Sequence, residues 1–153
     1  MHNGPFDRMA KLDLFDGCSR RLLAAIDQLG TTIDVKAGRV LCELGVLGVE
    51  FFVLLDGVVD VRTASSERVR LRPGAWFGEV ALLDDGHRRA TVTARSDATV
   101  LVFGKREFRA LLRMAPPVRR RVELTTARIV SGIAPTSEAW YEPLPSVLPA
   151  EIR

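Results

Sequence analysis

Histidine and cysteine are scarce in this 153-residue chain, with two of each, and tyrosine occurs once. Cys18 and Cys42 have no C-x-x-C spacing and no companion histidine, so the sequence offers neither a metal-ligand cluster nor a disulfide framework. His2 lies near the terminus and His87 in a turn-rich stretch, and neither has a nucleophile to activate. Without such a constellation the chain is not expected to be an enzyme or to carry a cofactor. No apolar run approaches the ~18–20 residues of a membrane-spanning helix. The first residues also lack the apolar core of a secretory signal, so a cytoplasmic setting is expected. Charge of one sign is missing too. Lys and Arg total 22 against 19 Asp and Glu, and the arginines are scattered over many segments. The densest run, Arg119-Arg120-Arg121, falls in a stretch with helical periodicity, where charges form a solvated face. Direct DNA binding is therefore not expected.

What is present is enough apolar residue, 47%, to bury one core. Residues 19–29 place Leu22, Leu23, Ile26 and Leu29 at helical spacing behind Ser19, an N-cap type. From 31 to 103 the pattern changes to short runs of Val, Leu, Thr and Phe cut by glycines, the signature of short strands joined by turns. Val69 and Leu71 alternate with Arg68, Arg70 and Arg72, as in a sheet with one face in the core and one in water. Helical period returns at 105–114 with Phe108, Leu111 and Leu112, is broken at Pro116-Pro117, and resumes over 117–130 with a stripe of Val118, Val122, Thr125 and Ile129. That stripe can form a homodimer seam or lie on the sheets as an intramolecular lid. We expect an N-terminal arm over 1–11, one domain over 12–131, and a proline-rich tail over 132–153, extended and docked through Trp140, Tyr141 or Leu144.

The informative segment is 77–92, FGEVALLDDGHRRATV. Gly78 lets backbone bend against a ligand, and residues 79–83 can form one helical turn whose free N–H groups face an anion. The short side chain of Ala81 keeps the approach open. Arg88 offers a planar guanidinium for a two-pronged contact with phosphate oxygens, and Glu79 an acceptor for a sugar hydroxyl. Taken singly, each has a structural account: a glutamate in a first helical turn suits the helix dipole, and an arginine in a glycine-rich turn is ordinarily solvated. The ordered combination points to a ligand.

F-G-E-V-A-L-L, followed after the spacer by R-x-A-T-V, resembles the phosphate-binding cassette of cyclic nucleotide-binding domains, as in catabolite activator proteins and protein kinase A regulatory subunits. The likeness extends over about 12–130. It takes in Ala37-Gly38, the turn at Gly45 and Gly48, FFVLLDGVVDV, Pro73-Gly74, and Phe108-Ala110-Leu111-Leu112. It implies a mainly β fold with flanking helices: a jelly-roll-like β-roll, a double-stranded β-helix of about eight strands, with an N-terminal helix and C-terminal lid helices. It also implies a regulatory sensor of cyclic AMP or cyclic GMP, with Phe77, Gly78, Glu79, Val80, Ala81, Arg88, Arg89 and Ala90 at the ligand. Glu79 would take the ribose hydroxyl, Arg88 the cyclic phosphate, and backbone groups of Gly78, Val80, Ala81 and Ala90 would complete the cradle. Ligand binding would then move the last helix against an effector protein or a linked domain.

Two departures stand out. Arg89 occupies a position that is commonly small, where it can grip the phosphate, swing to solvent, or fill the base pocket. In the last case the chain is a degenerate fold acting as an interaction or dimerisation domain without ligand. A fragment of a transcription regulator or other multidomain protein is a further reading. Val46, Leu47 and Val49 stand in a turn where relatives often place polar residues. Exposed, they would form a patch for a partner, but they are expected to fold inward as extra core.

Overall fold

The computed structural model describes residues 5–83, 86–130 and 141–144. Helix α1, Pro5–Ala10, and a 3-10 turn, Asp13–Phe15, lead into α2, Arg20–Leu29. Ser19 caps α2 as its residue type predicts, its hydroxyl accepting from the Leu22 N–H at 3.1 Å, and the helix buries Leu23 and Ile26. Gly30 ends the helix against Leu101 and Phe103, where a Cβ would come within 2.8 Å of the Leu101 side chain. The expected arm over 1–11 contains α1, whose Met9 is fully buried in the core.

Eight strands follow in the stretch read as strands and turns: β1 Thr31–Val35, β2 Val40–Cys42, β3 Glu50–Asp56, β4 Val59–Thr63, β5 Arg68–Leu71, β6 Trp76–Phe77, β7 Ala90–Ala94 and β8 Ala98–Gly104. The one-turn helix α3, Glu79–Leu83, interrupts them, and α4, Lys105–Met114, and α5, Pro116–Val130, close the roll. The strands form two antiparallel sheets. The first has the order β1-β8-β3-β6; the second runs β2-β7-β4-β5 and is extended at β5 by β9, Tyr141–Leu144. This is the mainly β roll with flanking helices that the cassette implied. The tail contributes β9; Trp140, the rest of the tail and His2 lie outside the described residues.

The sheets differ in what covers them. In β3 Phe51, Phe52, Val53, Leu54 and Leu55 are all buried, because one side faces the second sheet and the other meets α1, α3 and α4. Phe51 is central to that layer, 4.7 Å from the Phe108 ring and 5.9 Å from that of Phe103. The second sheet alternates. Val59, Val69, Leu71, Val92 and Ala94 face inward, while Asp60, paired in register with Arg70 and Thr93, stands on the opposite side. There Asp60 accepts from Arg70 Nε at 3.0 Å, and Arg68 approaches it at 4.0 Å.

Helix α5 packs on α4, α3 and the 3-10 turn, with Val118, Val122 and Thr125 buried. The described part of the stripe is therefore buried within the chain; the Ile129 side chain lies outside the described residues. Arg119 and Arg120 are solvated as expected, but Arg121 is a clasp. Its Nη1 donates to the carbonyls of Leu14 at 3.1 Å and Asp16 at 2.6 Å, tying the lid helix to the N-terminal segment. The turn between β2 and β3 corrects another expectation. Val46, Leu47 and Val49 do not fold inward; they are 48%, 64% and 58% exposed. The backbone of this turn is drawn onto the cassette instead, with Gly45 N–H donating to Arg88 O and Arg88 N–H to Val46 O, and with a Leu47–His87 bridge.

Candidate functional site

The cassette spans the end of β6, α3, and the approach to β7. Phe77, the last residue of β6, stacks on Phe52 at 4.9 Å and anchors the segment to the core. Gly78 follows at φ +96°, a left-handed conformation that glycine adopts without steric cost, and it turns the chain into α3. A Cβ there would also lie 2.6 Å from the Glu50 carbonyl and 2.9 Å from Arg88 Nη1. Val80 and Ala81 are buried, and Ala90, half-buried, begins β7.

Glu79 and Arg88 are both taken almost wholly out of solvent, at 2% and 7% exposure. Arg88 Nη1 donates to Gly78 O at 3.0 Å and Nη2 to Glu50 O at 2.9 Å, with the guanidinium carbon 5.8 Å from the Phe52 ring centroid. Those partners are neutral carbonyls, and among the described residues no anion is bonded to the buried positive charge. Glu79 Oε1 has no hydrogen-bond partner among the described residues. Burial pushes the Glu79 carboxyl up to about 7, against the opposing pull of its own backbone N–H and of the Arg88 charge. Cys42, close enough to feel both groups, is pushed up to about 12 by burial and is held as a thiol.

A buried cation bonded, among the described residues, to carbonyls alone beside a carboxyl with an unmet oxygen is costly, since unsatisfied buried polar groups lose their hydration without return. A ligand that brings an anionic oxygen to Arg88 and a hydroxyl to Glu79 removes both costs. The residues picked from the sequence are brought together with one difference: Arg89 is exposed, whereas Arg88 before it is buried.

Sequence reasoning missed the seat of Arg88. Gly48 is buried, and a Cβ on it would overlap the guanidinium, lying 2.5 Å from Cζ. Gly48 and the Glu50 carbonyl thus set the arginine's pose from forty residues upstream. The only signal for this was a glycine that its turn did not demand.

A sequence-family profile described as "Cyclic nucleotide-binding domain" matches residues 32–114. A cyclic nucleotide-gated potassium channel of Mesorhizobium japonicum is 33% identical over 110 residues, which cover 72% of this chain and 30% of the channel. Among solved structures, the catabolite activator protein of Thermus thermophilus superposes with a TM-score of 0.69 at 26% identity, covering 78% of this chain and 59% of that one. PKAR CBD2 bound to Sp-2Cl-cAMPS has the same fold, with a TM-score of 0.69 at 22% identity, over 87% of this chain and 98% of that one.

Proposed function

Because this chain belongs to the cyclic nucleotide-binding domain family, we propose that it is a regulatory module that binds a purine cyclic monophosphate, cyclic AMP or cyclic GMP, inside the roll and has no catalytic role of its own. The observation that carries this reading is the pairing of a buried guanidinium bonded, among the described residues, to carbonyls alone with a buried carboxyl whose Oε1 has no partner among them. Arg88 grips the cyclic phosphate, Glu79 bonds the ribose hydroxyl, and backbone groups of Gly78, Val80, Ala81 and Ala90 complete the cradle. Phe77 holds the cassette to the core. Arg89, exposed and next to Arg88 in sequence, stands near enough to reinforce the phosphate contact.

The response runs through α5. That helix packs on α3, so a ligand that reorders α3 changes the seat of the lid and shifts the population of its positions. The reader of that movement is an effector protein or a linked domain. The relatives support a linked domain, since the chain spans only 30% of the channel's length.

Calorimetric titration with cyclic AMP and cyclic GMP tests the reading. Saturable binding to the wild type, weakened about 10- to 100-fold in Arg88→Gln through loss of charge-assisted bonds, is the expected result. A folded protein that binds neither nucleotide at millimolar concentration would refute it and favour an interaction domain without ligand.

A further inference from the structure

The arginines that look scattered along the chain are collected by strand register. Val59, Val69, Leu71 and Val92 occupy the inner side of the second sheet, so Arg62, Arg68 and Arg70, out of phase with them, share its outer face. Exposed Arg89 and Arg95 stand at the two ends of β7 on the same sheet. Among the described residues, the carboxylates of the face are fewer. Asp60 bridges Arg68 and Arg70, and Glu142 of β9 lies opposite Arg70 in register. Among the described residues, the main helix contacts fall on the first sheet and not on this face.

Beside it is an aliphatic margin. Val40 lies opposite Thr93 and hence on the outer face, at 48% exposure. The Leu44 N–H donates to the Thr91 hydroxyl at 3.1 Å, which draws the β2–β3 turn onto the same edge, where Leu44 and Val46 are 41% and 48% exposed.

We propose that the outer face of the second sheet, together with the β2–β3 turn, docks on an anionic lipid bilayer, its guanidinium groups meeting lipid phosphates while Val40, Leu44 and Val46 enter the headgroup–acyl boundary. Guanidinium forks match phosphate oxygens two by two. Basic groups and exposed aliphatic side chains on one surface are the pairing that binds an interface reversibly. A nucleic acid fits less well. None of the outer-face residues on β2, β4, β5 and β7 is aromatic, so these strands give bases no stacking platform, and a duplex gives the aliphatic margin nothing to bury against.

The test is co-sedimentation of the full chain with phosphatidylcholine vesicles, with and without phosphatidylglycerol. Binding should require the anionic lipid and fall with added salt. The double variant Arg62→Gln, Arg95→Gln should partition roughly 25-fold more weakly, at ~5-fold per arginine, while Arg62→Lys, which keeps the charge but not the fork, should lose less than Arg62→Gln. Leu44→Ser should weaken binding and make what remains more salt-sensitive. Circular dichroism and cyclic nucleotide titration on the same samples separate loss of the fold or the pocket from loss of the surface. Failure to sediment with either vesicle, or equal binding to both, would overturn the proposal. So would retention on duplex DNA or polyglutamate that the double variant abolishes while vesicles stay unbound, which would give the face to that partner.

Discussion

The two sheets of the roll have the same strand chemistry in principle and opposite fates in practice. β3 carries five consecutive buried apolar residues because helices lie on its outer side; β5, across the roll, alternates arginine with Val69 and Leu71 because water lies on its own. A strand's composition therefore reports what covers it rather than whether it is a strand. The ligand cassette sits where the covered side begins, with α3 packed on β3 and α5 packed on α3.

Truncation in the covered sheet should have the largest effect. Phe51→Ala removes the ring that meets both Phe103 and Phe108 and is expected to cost about 3–5 kcal/mol in urea unfolding. If Arg62→Gln on the open face costs as much, the contrast between the sheets is false.

Glu79→Gln comes next. The folded carboxyl titrates at about 7 against an ordinary 4.5, so between those values the folded state binds more protons than the unfolded one, and stability falls as pH rises through the window. Fully expressed above neutral pH, this amounts to about 3 kcal/mol as an upper figure. The variant should be more stable than wild type at pH 8 and less so at pH 5, with the pH slope of the urea midpoint flattened. An unchanged slope would mean that the carboxyl is hydrated in the folded protein.

Gly48→Ala should weaken cyclic nucleotide binding by about 1.5–3 kcal/mol, because the new methyl displaces Arg88 from the two carbonyls that hold it. Wild-type affinity in that variant would show that the arginine's pose on the two carbonyls does not matter for capture. On the open sheet, Asp60→Ala removes the bridge between Arg68 and Arg70 and should cost no more than about 1 kcal/mol, and Arg62→Gln no more than ~0.5 kcal/mol.

Much of this was legible in the residues. The α2 cap was readable from Ser19, the end of α4 from Pro116-Pro117, the alternation of β4 and β5 from Val59, Val69 and Leu71, and the cassette from the order of its parts. What was not legible depends on distance along the chain. Hydropathy says that Val46, Leu47 and Val49 are apolar, but their side of the turn is set by backbone bonds to Gly86, His87 and Arg88. Arg121 looks like any solvated helix charge until Leu14 and Asp16 arrive beside it. The basic face exists only once register has aligned strands that lie far apart in sequence.

The pairing of β1 with β8, Thr31 opposite Val102, and the Arg121 clasp on Leu14, 107 residues away, carry a consequence for how the molecule is made. On the ribosome, β1 emerges early and has no neighbour in its sheet until β8 has been synthesised, and the 3-10 turn waits longer still for α5. The roll is therefore closed by its last-made parts, so early products have unpaired strand edges and depend on rapid completion or on chaperones to stay out of aggregates.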